Sequence, residues 1–228
     1  MRRLGMLAVA GLLATLAVPV SASSAPGVAR EAFTMSGTMA DATWFAPESA
    51  EPEVGAPRVL YVQGADASTV RRVAGSKAVR GPQPALLAIG LTMPADATSA
   101  EPYPAELWCE ASAFDFTVAD DLSSAQLEIP TCEAQVVVFD ENTGKEGPNG
   151  VTVTITATAD WTATGPLERQ RSHSRYSVGG SWTMDMVSTA MRPASTDITV
   201  TGLPAGTFSG STEEASIQDV KVANLVRW

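Results

Sequence analysis

The chain has 228 residues, 45% of them hydrophobic and 18% charged, which is the composition of a globular protein. Its 25 acidic and 15 basic residues give a formal net charge of -10, and a chain this acidic is a poor nucleic-acid binder, because phosphate contacts need clustered Lys and Arg. One His and two Cys exclude zinc sites with two or more imidazoles and metal clusters held by four thiolates.

The first 22 residues have the pattern of a secretory signal peptide. Arg2 and Arg3 form a short positive start, Leu4–Val20 is almost wholly apolar, and Val20-Ser21-Ala22 is a small-x-small cleavage pattern. We therefore expect cleavage after Ala22 and a secreted, extracellular protein. Later apolar runs are too short to span a bilayer, so we expect no membrane span after the signal is removed.

The segment 23–32 is expected to be a flexible lead before one domain over 33–228. Within that domain, apolar and polar residues alternate with a period of two, which indicates half-buried strands. The segment Asp66–Val79 fits one or two helical turns and fits a short hairpin equally well. The predicted strands are Phe33–Phe45, Arg58–Gln63, Ala85–Met93, Glu106–Val118, Ala125–Phe139, Val151–Thr162, Arg175–Val187, Thr196–Thr201 and Ser216–Val226.

Three of these strands carry a glycine or a change of face. Gly37 is the expected site of a face change in the first strand, and a bulge near Ala113 would explain the change in the fourth. Gly179 and Gly180 are expected to bend or bulge the strand Arg175–Val187. About nine antiparallel strands separated by turn residues predict an all-β fold, an antiparallel β-sandwich first and a closed β-barrel as the alternative.

Three stretches carry a resemblance to a known group of proteins. They are the opening Phe33-Thr34-Met35-Ser36-Gly37-Thr38, the central Asp115-Phe116-Thr117-Val118 followed by Leu122-Ser123-Ser124-Ala125, and the strand Val151–Trp161. In this pattern the chain resembles uncharacterised secreted β-proteins of high-GC Gram-positive bacteria. The resemblance implies secretion and a β fold, and it brings no activity and no site residues.

The two cysteines are predicted to form a structural disulfide. Cys109 shares the apolar face of its strand with Leu107, and Cys132 shares a face with Ala134 and Val136. Two inward-facing cysteines in an exported chain favour a disulfide over a catalytic thiol, which would need a nearby base.

The segment from Arg169 to Arg175 is the one basic patch that stands out in this acidic sequence. Arg169, Arg171, His173 and Arg175 are candidates for an anion site, and His173 with a neighbouring serine is a candidate catalytic pair. A solvated hairpin loop is the favoured interpretation. Adjacent residues of an extended chain point to opposite sides, so neither Ser172 nor Ser174 is well aimed at the imidazole.

The loop Asp140–Glu146 opens with the oxygen-ligand spacing of a calcium site. Gly144 stands where the third ligand belongs, and no bidentate glutamate follows at the twelfth position. A hairpin turn is therefore favoured, and we expect no bound metal and no cofactor.

Trp108 is the tryptophan expected to face outward. Trp161 and Trp182 fall on apolar strand faces and are predicted to be core, whereas Trp108 lies on the face of Glu110, opposite Cys109. An exposed aromatic ring beside a carboxylate can stack on a sugar while the carboxylate accepts hydroxyl hydrogen bonds. The alternative is that Trp108 covers a sheet edge or packs under a loop.

The sequence favours a non-catalytic binding or cell-envelope-associated module, with a glycan or an envelope protein as its partner. A secreted hydrolase with a site assembled from several loops and a purely structural secreted protein are the alternatives. A cleft holding two titratable groups with perturbed pKa would favour the hydrolase. A flat face with an exposed aromatic would favour binding.

Overall fold

The computed structural model describes residues 30–47, 53–73, 75–94, 102–140, 145–177 and 181–227. The expected signal peptide, residues 1–22, lies outside these residues, and the first strand begins at Arg30, inside the segment expected to be a flexible lead. The described residues form one antiparallel sheet without helix. Its strands are β1 Arg30–Phe45, β2 Pro57–Val73, β3 Val79–Pro82, β4 Ala85–Pro94, β5 Pro102–Ala111, β6 Asp115–Val118, β7 Ser124–Asp140, β8 Lys145–Ala163, β9 Glu168–Ser177, β10 Ser181–Leu203 and β11 Gly206–Arg227.

Eight of the strands close into a barrel. They follow the order β1, β11, β10, β8, β7, β5, β4 and β2, and the pairing of β1 with β2 from Glu31↔Val73 to Phe45↔Val59 closes the circle. The all-β prediction is confirmed, and of the two architectures the closed barrel, not the sandwich, is the fold. Alternation within a strand cannot separate them, because both architectures bury one face of each strand.

Small and branched side chains fill the barrel interior around one large ring. Trp161 on β8 is 1% exposed, and its Nε1 donates a hydrogen bond to the Asp41 carbonyl oxygen at 3.0 Å on β1. Ala157 and Ala159 on the same inner face of β8 are also buried. The prediction that Trp161 belongs to the core is therefore confirmed.

The predicted disulfide joins Cys109 on β5 to Cys132 on β7, with the two Cα atoms 6.2 Å apart. Both residues belong to the buried core, as their apolar strand faces indicated. The disulfide adds a covalent link between two strands that share few backbone hydrogen bonds, because β5 and β7 pair only from Ala105↔Val138 to Trp108↔Gln135.

Two predicted single strands are pairs of strands. Arg175–Val187 is wrong as one strand: β9 ends at Ser177, β10 begins at Ser181, and the two pair antiparallel from Ser177↔Ser181. Val178, Gly179 and Gly180 lie outside the described residues. Glu106–Val118 is likewise β5 and β6, with the chain leaving the sheet at 112–114, so the change of face near Ala113 marks a strand boundary and not a bulge.

The ambiguous segment after Asp66 is a hairpin and not a helix. β2 runs through Val73, and β3 pairs with it from Arg71↔Val79 to Ser68↔Pro82.

β6 lies across one end of the barrel. It pairs with β7 and reaches β2, where the Phe116 ring lies against Gly64. A Cβ at Gly64 would lie 2.7 Å from Phe116 Cε2, so this contact requires a residue without a side chain. Phe114, Phe116 and Val118 pack against the core, and the end of the barrel is covered by apolar side chains.

Four barrel strands continue past the barrel as an extension of the same sheet. β2 pairs with β4 only through Gln63 and then with β3, while β10 pairs with β8 from Ala194 onward and with β9 before that. The resulting six-stranded order is β9, β10, β11, β1, β2 and β3. We call this part the extension sheet; it comprises residues 30–38, 66–73, 79–82, 168–177, 181–190 and 219–227.

Candidate functional site

Trp108 and Glu110 lie on the outer face of β5, as the alternation predicts. Trp108 is half-buried and packs against the outer-face residues Tyr61, Leu86 and Ala88. Its Nε1 donates a hydrogen bond to Glu110 Oε1 at 3.3 Å. Trp108 is thus neither a fully exposed platform nor a covered core residue, since part of its ring is seated on the barrel wall and part remains accessible.

A buried polar cluster lies on the same outer surface, on β1, β2 and β11. Asp41 Oδ1 accepts hydrogen bonds from Ser216 Oγ at 2.7 Å and from Gln218 Nε2 at 3.1 Å. On β2, Tyr61 Oη donates to Gln63 Oε1 at 3.2 Å. Asp41 is paired directly with Gln63 and with Ser216, which brings these groups together from three distant parts of the chain.

Burial dominates the electrostatics of this polar cluster. Asp41 is only 5% exposed, and burial raises the pKa of its carboxyl group, while the hydrogen bonds from Ser216 and Gln218 act in the opposite direction. The pKa of Tyr61 is also raised, first by burial and then by the charge of Asp41. Gln63 Nε2 and Gln218 Oε1 are buried and have no hydrogen-bond partner within the described part of the chain.

Sequence reasoning missed this cluster. Asp41 stands between Ala40 and Ala42, and a polar residue between two inward-facing alanines predicts exposure to solvent. The outer face of β1 is buried as well, and Met39 beside it is 4% exposed. The one sequence signal was Met39, an apolar residue on the side of the strand expected to be polar.

A second outer surface, on β7, β8 and β10, carries exposed carboxylates. Asp160 and Asp197 are directly opposite each other on β8 and β10; Gln126 Nε2 donates to Asp160 Oδ1 at 2.9 Å, and Ser211 Oγ donates to Asp197 Oδ1 at 2.7 Å. No Lys or Arg occurs in the segments 124–137, 152–163, 194–203 and 206–214. We call this surface the acidic wall, defined by Glu128, Glu133, Asp160 and Asp197, all exposed.

A small polar depression of about 170 Å³ lies at one side of the acidic wall. Thr117, Ser124, Gln126, Asp160 and Thr162 contribute to its lining. These are hydroxyl, amide and carboxylate groups, which suit hydrogen bonding to a polar ligand.

The basic segment is an edge strand and not the solvated loop that the sequence favoured. Arg169, Arg171, His173 and Arg175 alternate along β9, where His173 pairs with Asp185 of β10. Arg169 is exposed, and the side chains of 170–177 are outside the description. Ser172 and Ser174 occupy the opposite register positions from His173, so the strand keeps the alternation that argued against a Ser–His pair.

The acidic loop after β7 closes a hairpin, and Asp121 in the loop after β6 is held by hydrogen bonds. Asp140 and Lys145 are the last paired residues of the β7–β8 hairpin, and 141–144 lie outside the described residues. The pKa of the Asp121 carboxyl group is lowered mainly by a hydrogen bond from the Ser123 side chain, with a smaller contribution from the Ser123 backbone. Arg192 Nε donates a hydrogen bond to the Asp121 carbonyl oxygen at 2.9 Å. No group of three or more His, Cys, Asp or Glu suited to a metal ion occurs among the described residues.

Comparison with known proteins found no match to a protein-family model, to a curated protein or to a solved structure. The described residues include no helix long and apolar enough to cross a membrane. The disulfide is of the kind found in proteins that fold in oxidising compartments.

Proposed function

We propose that this protein is an exported, non-catalytic binding module of the cell envelope, and that the outer barrel surface around Trp108 contacts a glycan or another envelope protein. The signal-peptide pattern of residues 1–22 and the Cys109–Cys132 disulfide support export. The interior supports an external site, because Trp161 and the side chains around it fill the centre of the barrel.

The position of Trp108 carries this proposal. Its ring rests on Tyr61, Leu86 and Ala88, so a rigid sheet holds it. Glu110, 3.3 Å from the indole nitrogen, adds a hydrogen-bond acceptor at the ring's edge. A fixed aromatic surface beside a carboxylate suits a sugar ring with its hydroxyl groups, and aromatic anchors are also common in protein interfaces.

The test is Trp108→Ala in a co-sedimentation assay with insoluble cell-wall polysaccharide. We expect binding to fall at least roughly tenfold, which is the loss of one aromatic anchor worth about 1–2 kcal/mol. Because the ring is half-buried, the free energy of unfolding should fall by about 1–2 kcal/mol, between the values for surface and core residues.

Phe45→Ala is the matched control, because Phe45 is 51% exposed and its truncation also removes an aromatic ring. This control should bind as the wild type does. Unchanged polysaccharide binding by a folded Trp108→Ala variant, together with unchanged capture of envelope protein, would reject the proposed surface.

A further inference from the structure

The basic residues of this acidic protein are gathered in the extension sheet. Ten of the 15 Lys and Arg residues of the chain, but only five of its 25 acidic residues, lie in this sheet or in its β2–β3 turn. The basic residues are Arg30, Arg71, Arg72, Lys77, Arg80, Arg169, Arg171, Arg175, Lys221 and Arg227. The sheet therefore has an excess of positive charge, whereas the rest of the protein is strongly negative.

Strand register assigns most of these basic positions to one face. Directly paired residues share a face of a sheet, and so do alternate residues of one strand. One row of paired residues crosses the sheet from Arg171 on β9 through Val187, Lys221 and Ser36 to Ser68 on β2. The next row crosses from His173 on β9 through Asp185, Ala223, Thr34 and Val70 to Arg80 on β3. The third row contains Arg175 and Arg72, and the fourth row contains Arg227 and Arg30.

This face, which we call the basic face, therefore takes in Arg169, Arg171, Arg175, Lys221, Arg227, Arg30, Arg72 and Arg80, together with His173. Asp66, Asp185 and Asp219 share it, so Lys and Arg positions outnumber acidic ones by eight to three. On the opposite face, Met35 of β1 is 2% exposed, whereas Val73 and Val79 near the β2–β3 turn are exposed.

The described side chains of the basic face are accessible. Arg72, Arg80 and Lys221 are exposed and lie on three different strands. Ser36, Ser68, Arg80 and the carboxylate residue Asp66 help to line an open depression of about 560 Å³. This combination of guanidinium and hydroxyl donors suits an oxyanion with several acceptor oxygens.

The arrangement of the basic positions selects an extended ligand. On the edge strand β9, positions 169, 171, 173 and 175 follow one another at every second residue, a spacing of about 7 Å. Three arginines, Arg169, Arg171 and Arg175, lie along this one strand, with His173 between the second and the third, and such a row suits a linear polymer with repeating negative charges. A long rigid duplex would also meet the acidic barrel, whereas a flexible chain can follow the sheet alone.

We propose that the basic face of the extension sheet binds a flexible, linear polymer of phosphate groups. This inference rests on the proposed binding function and names a second partner chemistry, at a surface separate from Trp108.

The probe is fluorescein-labelled inorganic polyphosphate, followed by fluorescence anisotropy at 50 and 200 mM salt. The triple variant Arg72→Gln, Arg80→Gln and Arg175→Gln should bind roughly tenfold more weakly than the wild type at low salt, and its dependence on salt should be shallower by about 0.7 per lost contact. The control Lys145→Gln, which removes a positive charge from a barrel hairpin, should match the wild type.

Three results would overturn the proposal. Unchanged binding by the folded triple variant would exclude the basic face, and equal or tighter binding of duplex DNA would make nucleic acid the partner. Salt-sensitive self-association in sedimentation, lost in the triple variant, would make the acidic wall of a second copy the partner. If the wild-type protein does not bind polyphosphate but shows Trp108-dependent polysaccharide binding, the proposed envelope function still stands, so the two failures are distinguishable.

Discussion

The barrel and the extension sheet share four strands but bury opposite faces of them. On β1, Ala40 and Ala42 point into the barrel and are fully buried, whereas Met35, on the other face, is the buried residue in the extension sheet. Gly37 lies at the transition with a φ of 142°, and a Cβ there would lie 2.6 Å from Ala67 Cα on β2. One strand with unbroken alternation can therefore contribute one face to the barrel interior and the other face to the side of the extension sheet that buries Met35. Both faces of β1 are buried where the barrel and the extension sheet meet.

The two regions also differ in charge. The strand segments that form the acidic wall of the barrel contain no Lys or Arg, while the extension sheet holds most of the lysines and arginines of the chain. The net charge of -10 averages these regions and conceals the basic one. Net charge alone argued against phosphate binding, but that argument holds only for a protein whose charge is spread evenly over its surface.

The largest expected effect concerns the barrel interior. Trp161→Ala should lower the free energy of unfolding by about 3–5 kcal/mol, since it leaves a large cavity and removes the hydrogen bond to the Asp41 carbonyl. Met35→Ala in the extension sheet should cost less, about 2 kcal/mol. Urea denaturation followed by far-UV circular dichroism measures both. Equal costs would mean that the truncation of Met35 is as disruptive to its surroundings as the truncation of Trp161.

A smaller effect is expected from the disulfide, which links barrel strands only. Replacing Cys109 and Cys132 together by alanine opens a loop with a sequence separation of 23 and should cost about 3 kcal/mol in the chain-entropy model. Hydrogen exchange should show the loss of protection first in β5 and β7. Earlier loss in β9 and β3 would show that the disulfide acts on the whole sheet and would blur the distinction between the regions.

The smallest effect concerns Asp41, at the junction of the two regions. Burial raises its pKa above the ordinary 3.8, so the folded state binds this proton more tightly than the unfolded state does. Stability from this group is therefore present at acid pH and is lost as pH rises from about 3.8 through the folded-state pKa.

Asp41→Asn preserves the shape of the neutral acid and removes this titration. We expect thermal melts of the variant between pH 3 and pH 8 to show a smaller decline in stability with rising pH, and a higher melting temperature than the wild type at neutral pH. The exposed Asp115→Asn is the control for the charge change alone. An identical pH profile for the Asp41→Asn variant and the wild type would show that folding does not raise the pKa of Asp41.

Local patterns predicted the strands well where one face is buried and the other is exposed. The alternation of Val151–Thr162 lies wholly within β8, and the opposite orientations of Trp108 and Cys109 follow from the same period of two. The disulfide followed because both cysteines belong to apolar faces. The hairpin of β9 and β10 was missed because two consecutive strands with the same alternation read as one.

The sequence by itself determined the all-β class, the inward position of Trp161 and the pairing of Cys109 with Cys132, because each depends on short-range alternation or on having only two cysteines. The tertiary structure alone decided barrel closure, the burial of Asp41 and the basic face. These depend on register between strands far apart in the chain, as in the pairing of Arg30 with Arg227. Local alternation fixes which residues of one strand share a face, but it carries no information about which distant strand lies beside it.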